Sequence, residues 1–417
     1  MKPRESSDQN SYTKEWRAKK LGELADFAGG SQPAKRHFQY EQATGFVRLI
    51  QIRDFKTDKY ATYVPKNLVT KFCDSEDTMI GRYGPPVFQI YRGIEGAYNV
   101  ALIRATPKDG ILKDYLYYFL CQDVLFNLID RLSRRTSGQT GVDMVALRRY
   151  PVLLPPEDTQ KIIVTILSTW DQGIDRLERL ISAKEQRKRA LMQQLLTGKR
   201  RYPEFIKLEK VRKTRFGTRP QDWSDARVGD FADQSGERNG EIQDIPVLSC
   251  TKHDGLVESL KYFGKRIFSE DTSNYKVVRR DEFAYATNHI EEGSIGVLDF
   301  LDTGLVSPMY TVFSTNDTVR VPFLIALFKT ELYRHIFEVH TNASVNRRGS
   351  LRWNEFKKLH VALPSIEEQD KIVGILDSCD RELSKRRDQL ESLRQQKKGL
   401  MQKLLTGELR VPINASK

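Results

Sequence analysis

Two stretches of the chain carry hydrophobic residues at alternating spacings of four and three. In the first, the seam runs Ile163, Leu167, Trp170, Ile174, Leu177, Ile181, Lys184, Lys188, Leu191 and Leu195. In the second it runs Ile372, Leu376, Cys379, Leu383, Arg386, Leu390, Leu393, Lys397, Leu400 and Leu404. Eight of the ten positions are apolar in each stretch. A seam of that period, kept for so long, predicts a coiled coil. Prolines precede each stretch, and Gly198 or Gly407 follows it, as helix starts and stops require. A helix of roughly 40 residues is about 60 Å long at 1.5 Å per residue. Left unpaired, such a seam would expose too much apolar surface, so the two helices are expected to pair with each other.

The two stretches are also copies. Residues 154–201 align without a gap to residues 363–410. Both copies hold LP, a glutamine six residues after that leucine (Gln160, Gln369), IL, an aspartate (Asp171, Asp380) and a closing LMQxLLTG. The duplication extends upstream. Trp16 with LGEL (21–24) matches Trp223 with VGDF (228–231), and the apolar run 115–129 matches 323–337. Each run leads into a polar, basic loop, RRTSGQTG (134–141) or TNASVNRRGS (341–350).

The runs VRLIQI (47–52), NVALIRA (99–105), IGVLDF (295–300) and MYTVFS (309–314) predict strands. The fold class is therefore mixed α/β (α+β): one domain over 1–153, a central helix over 154–198, a linker plus second domain over 199–362, a second helix over 363–410 and a tail over 411–417. The connector 199–220 holds nine Lys or Arg and is expected to be a solvated linker. The duplication also predicts that two copies of residues 1–201 pair through their own helices.

Charge narrows the partners. Lys and Arg outnumber Asp and Glu by 13, and the pI is near 9.4, which favours a polyanion. The mean hydropathy of −0.53 suits long solvated helices. No run of 18 apolar residues and no apolar leader occurs, and the four cysteines form no CxxC pair, so a reduced, cytoplasmic protein is expected.

Chemistry of its own is missing from the motifs. There is no GxxxxGK[ST] phosphate loop, no HExxH or Cys/His cluster, and no Asn/Asp-Pro-Pro-aromatic tetrapeptide of the kind amino-methyltransferases use. PEDTQK (156–161) sets acids near a lysine as nucleases do, but acids at a helix start are accounted for by the helix dipole. His289 beside Glu291 and Glu292 is expected to be a surface group, and no metal or catalytic residue is assigned.

The duplicated LPxxxxxQ…ILxxxD…LMQxLLTG segments resemble the two conserved regions of specificity subunits from type I restriction-modification systems. Trp16 with LGEL, Trp223 with VGDF, MIGRYG (79–84) and YATNHIEEGSIGV (285–297) are similar to parts of that family's two target-recognition domains. The resemblance implies an antiparallel coiled coil with pseudo-two-fold symmetry between two tandem recognition domains. It implies a non-catalytic subunit that binds the halves of a bipartite double-stranded DNA site. It also implies docking to two methyltransferase subunits for adenine methylation and to motor-nuclease subunits for restriction. S-adenosylmethionine, ATP and Mg would then be bound by those partners. Three other readings stay open: a stand-alone nucleic-acid binder, a coiled-coil adaptor, and an enzyme acting alone.

Candidate DNA contacts are polar residues near turns. Arg82 and Tyr83 sit in a glycine-bounded turn, where an arginine can bridge guanine O6 and N7. Lys35, Arg36 and His37 follow GGSQP and are placed for phosphates. Arg134, Arg135, Ser137 and Gln139 occupy the first repeated loop; Ser344, Asn346, Arg347 and Arg348 occupy the second. Asn288 belongs to the second domain's turn, flanked by Ala286 and Thr287 where the resemblance leads one to expect a basic residue.

Overall fold

The structure is a computed structural model that describes residues 16–84, 86–133, 141–214, 217–240, 245–342 and 349–411. Arg134, Arg135, Ser137, Gln139, Ser344, Asn346, Arg347 and Arg348 lie outside these residues. The chain forms two compact units, Met1–Glu178 with Asp388–Lys417, and Arg179–Arg387.

In the first unit, Arg17–Lys20 pairs antiparallel with Pro151–Leu154. The LGEL motif becomes a short helix, Leu21–Leu24, whose two leucines are buried. A four-stranded antiparallel sheet follows in the order Ala25–Gly29, Leu102–Pro107, Thr78–Gly81, Ile90–Tyr91. A second four-stranded sheet runs Tyr63–Pro65, Phe46–Ile50, Gly96–Tyr98, Phe72–Cys73.

The second unit repeats the first frame. Ser224–Arg227 pairs with His360–Leu363, and VGDF forms the helix Val228–Phe231. Its four-stranded sheet has the matching order Ala232–Ser235, Tyr310–Thr315, Phe283–Ala286, Ile295–Val297. The apolar runs fold as two helices in each unit, Lys113–Leu120 with Asp123–Ser133 and Val321–Phe328 with Glu331–Asn342. The second sheet recurs in looser form: the antiparallel pairs Leu248–Thr251 with Gly255–Glu258 and Lys276–Arg279 with Thr303–Val306 are joined only by a parallel bridge of Val247 to Leu305, where the first unit pairs Phe46–Ile50 with Gly96–Tyr98 in parallel.

The expected strands exist but are trimmed. The run 47–52 ends as a strand at Ile50, because Ile52–Phe55 turns into a 3-10 helix capped by the Gln51 and Asp54 side chains. The run 99–105 begins as a strand only at Leu102, and 295–300 keeps only Ile295–Val297.

The long helices are Glu157–Leu195 and Ile366–Thr406. Between residues 378 and 398 the half-buried or buried positions are Cys379, Leu383, Arg386, Leu390, Leu393 and Lys397, while the rest face solvent. In the other helix Trp170, Ile174 and Leu191 are half-buried, and Leu177 and Ile181 are buried. The helix ends enter the domain cores. Ile163, Leu167 and Leu404 join the first unit's core, with Leu400 packed against it, and Leu195, Ile372 and Leu376 join the second's.

Ion pairs within each unit give the helices their antiparallel register. In the first unit Asp171 pairs with Lys397, and Glu178 with Arg394 at 2.6 Å. In the second, Asp380 pairs with Lys188, Glu185 with Arg387, and Glu382 with the seam residue Lys184 at 2.7 Å. Asp171 and Lys188 are the repeat counterparts of Asp380 and Lys397, so one pair is made twice. Glu178 and Glu185 are the counterparts of Arg387 and Arg394, so the other pair has its charges exchanged between copies. Both glutamates lie on the central helix and both arginines on the C-terminal one.

The repeated glutamine is a buried clamp. Gln160 accepts from Leu112 N and donates to the Gly110 and Pro155 carbonyls. Gln369 accepts from Arg320 N and donates to the Thr318 and Pro364 carbonyls. Each ties the first turn of a long helix to the loop before its domain's helix pair. The closing glycines have positive φ, +71° at Gly198 and +76° at Gly407, which ends each helix in the left-handed conformation.

The connector after Gly198 is not merely solvated. Arg201 is almost buried, donating to both Glu368 oxygens and to Asp222, while Trp223 Nε1 donates to Glu368. Arg219 is also buried, and Val211–Thr214 pairs with Gly217–Pro220 as a hairpin. A desolvated arginine requires carboxylates, and the fold supplies them from two separate segments.

Candidate nucleic-acid interface

In each unit the candidate turn meets the chain where the polar loop ends. In the first unit the strand Thr78–Gly81 delivers Arg82 and Tyr83 to the sheet end. There Val142 N donates to the Arg82 carbonyl at 3.1 Å, and Tyr83 bridges Gly141, the last residue of the polar loop. In the second unit Phe283–Ala286 delivers Thr287 and Asn288, and Leu351 N donates to the Thr287 carbonyl at 2.9 Å. Val142 and Leu351 are repeat counterparts, so the same backbone bond joins strand end to loop end in both units. Asn288 thereby takes the place of Tyr83, and Thr287 that of Arg82.

The side chains at the two junctions differ. The Arg82 guanidinium lies 5.2 Å from the Tyr83 ring centroid, a stacked arrangement that leaves its N–H edge for another acceptor. Thr287 Oγ1 lies 3.2 Å from both Asn288 Oδ1 and the Met309 carbonyl. Lys35 and Arg36 are exposed on the 3-10 turn Lys35–His37, where Arg36 Nε donates to His37 Nε2.

Beside Asn288 is a recess of about 380 Å³, lined among others by Gln234, Thr287, Asn288, Arg352, Trp353 and Asn354. Gln234, Arg352 and Asn354 were not singled out from the sequence. Their common signal is position: Arg352 and Asn354 follow the polar loop directly, and Gln234 lies on the strand paired with Tyr310–Thr315. Lys276 also lines the recess; burial, and after it the Arg238 charge, hold its ammonium below the ordinary lysine range while it donates to the Tyr310 carbonyl.

A larger recess of about 920 Å³ in the first unit includes Arg48, Asp54 and Asp58, whose charges pair with one another. His289, Glu291 and Glu292 gather on the second unit's surface, with His289 Nδ1 at 3.5 Å from Glu292. In PEDTQK, Lys161 pairs with Glu157 and Asp158 within the first turns of its own helix. Among the described residues, no helix is long and apolar enough to cross a membrane.

The type I restriction modification DNA specificity domain is matched twice, over residues 13–184 and 220–392. The type I restriction enzyme MjaVIII specificity subunit of Methanocaldococcus jannaschii is 25% identical over 422 residues, covering 95% of this chain and 93% of that one. Solved structures share the fold. The S subunit of the M. genitalium type I system aligns with a TM-score of 0.51 at 16% identity, over 97% of this chain and 99% of that one. A chain from a type I R-M system, solved to explain its complex assembly and conformational transition, aligns with a TM-score of 0.57 at 15% identity over 95% and 98%. The duplicated frame, the paired long helices and the two family matches agree, and the chain belongs to the type I restriction-modification DNA specificity family, with two DNA-recognition domains.

Proposed function

We propose that this chain recognises a bipartite double-stranded DNA site, one half through each unit, and directs adenine methylation there by methyltransferase partner subunits. Motor-nuclease subunits would add restriction. The chain itself contributes no catalytic group, and S-adenosylmethionine, ATP and Mg are held by the partners in the cytoplasm.

The observation that carries the reading is the repeated junction. A backbone bond from Val142 to Arg82, and its counterpart from Leu351 to Thr287, fasten a strand end to the residue that follows the polar loop in each unit. Two junctions of one architecture but different side chains suit two half-sites of different sequence. The excess of basic residues supplies phosphate affinity, which positions without specifying.

The test is methylation of genomic DNA by this chain with and without its methyltransferase subunit, mapped by sequencing. The pair is expected to methylate adenines in one split motif, and the chain alone nothing. Methyl transfer by the chain alone, or a continuous motif from the pair, overturns the reading.

A further inference from the structure

We infer that the recess beside Asn288 is the base reader of the second unit, with Asn288, Gln234 and Asn354 reading base edges through their amides and Arg352 holding a backbone phosphate. The inference rests on the DNA-reading role proposed above and specifies its chemistry in one unit.

Three observations converge. First, the recess lies at the junction of strand end and polar loop that recurs in both units, so its place is set by the shared frame. Second, among the described residues, the Gln234, Arg352 and Asn354 side chains make no hydrogen bond within the protein. Gln234, Arg352 and Asn354 are exposed, and Asn288 is half-buried. Those three side chains give up no internal partner on reaching a base, and Asn288 gives up only the hydroxyl of its neighbour Thr287 on Oδ1. Third, the counterparts in the first unit have a different character. Position 143, the counterpart of Arg352, is Asp143, whose carboxylate is consumed in capping a short helix by accepting from Val145 N and Ala146 N. Position 145, the counterpart of Asn354, is Val145, and Tyr83 stands in for Asn288. In the second unit the same cap position holds Arg352, which makes no cap bond.

The chemistry follows from the groups. A primary amide presents one donor and one acceptor side by side, matching adenine N7 and N6 in the major groove. Three amides around one recess therefore favour adenine in the second half-site. In the first unit the group at the junction is the Arg82 guanidinium, which offers donors alone and suits guanine O6 and N7. The two units thus read through different chemistry on one frame.

The test uses the full chain assembled with its methyltransferase subunit, and compares methylation motifs for Asn288→Ala, Gln234→Ala, Asn354→Ala, Arg352→Ala and Arg82→Ala. At least one amide variant is expected to lose discrimination at an adenine-bearing position, by roughly 5- to 150-fold for a lost bidentate contact. All letters changed by the amide variants fall in one half-site, and Arg82→Ala changes the other. Arg352→Ala is expected to weaken DNA binding uniformly and to lower the salt slope by about one. Unaltered melting of each variant separates recognition from folding. If the wild-type assembly methylates a split motif but all three amide variants keep both half-sites unchanged, this inference fails while the function above stands. If the wild-type assembly recognises no split motif, the underlying function fails first.

Discussion

Replacing Glu368 by alanine tests how the second unit is fastened to the start of the C-terminal helix. Glu368 is 2% exposed. Its carboxylate accepts two hydrogen bonds from Arg201 at 2.9 Å each and one from Trp223 Nε1 at 3.1 Å. Truncation removes all three. Arg201 keeps Asp222 at 2.6 Å and the Phe205 carbonyl at 2.8 Å, so its charge is not left bare. The loss therefore sits at the lower end of the about 3–5 kcal/mol typical of a broken buried pair. The Trp223 N–H, left without its acceptor, adds about 1 kcal/mol. The sum, about 4 kcal/mol, lowers the melting temperature of a unit this size by roughly 8–16 °C. Scanning calorimetry reads the shift, and hydrogen exchange shows which unit lost protection. Thr159 holds the counterpart position in the first copy, so protection in the first unit should be unchanged. A shift under about 2 °C on the same scale, or equal loss in both units, would refute the reasoning.

The same cluster has a pH signature. Burial raises the Asp222 carboxyl, but hydrogen bonds from Arg201 and Lys207 N and the Arg201 charge outweigh it and hold Asp222 below the ordinary carboxylate range. A carboxyl depressed on folding contributes stability that is complete above its unfolded value, about pH 4, and is lost as pH falls through the lower folded value. Asp222→Asn should flatten that acid limb in urea titrations; an unchanged limb would count against the pairing. Gln369→Ala strands Arg320 N and two carbonyls around a fully buried side chain, and should cost about 2–4 kcal/mol by urea unfolding, with less than about 1 kcal/mol contradicting the clamp. Gly198→Ala should destabilise more than Gly407→Ala: both sit at positive φ, but a Cβ at 198 would lie 2.4 Å from Pro220 Cγ, against 3.5 Å from Trp16 at 407. Calorimetry of the two variants ranks them, and the reverse order would show that packing there does not decide. Finally, two copies of a chain ending at residue 201 would set Glu178 of each against Glu185 of the other in the antiparallel register, so the self-pairing expected from the repeat should be weak. Glu185→Arg should strengthen that dimer in sedimentation; no change would mean the charges do not select the partner.

The long helices were legible because a heptad seam and a gapless duplication are local, periodic signals: Ile163 through Leu195 and Ile372 through Leu404 state both the element and the face it buries. The basic balance and the motifs named a DNA partner for the same reason, since composition and motif are properties of the chain. Strand ends were less legible: Asn99 N bonds the distant Ile50 carbonyl, while Gln51 is turned by a side-chain capping exchange with Asp54 that hydrophobic patterning does not register. What only the tertiary structure decided was juxtaposition. Nothing in the spacing of residues 82 and 142, or 287 and 351, says that their backbones bond. Nor does it say that Gln234, from a strand some fifty residues before Asn288, lines the same recess as Arg352. Arg201 shows the same limit: within a run of basic residues it looks solvated, and only the arrival of Glu368 and Asp222 makes its burial possible. Periodicity reports which face of an element is dry, whereas a site is made by elements distant in sequence, whose meeting is decided by packing the whole domain.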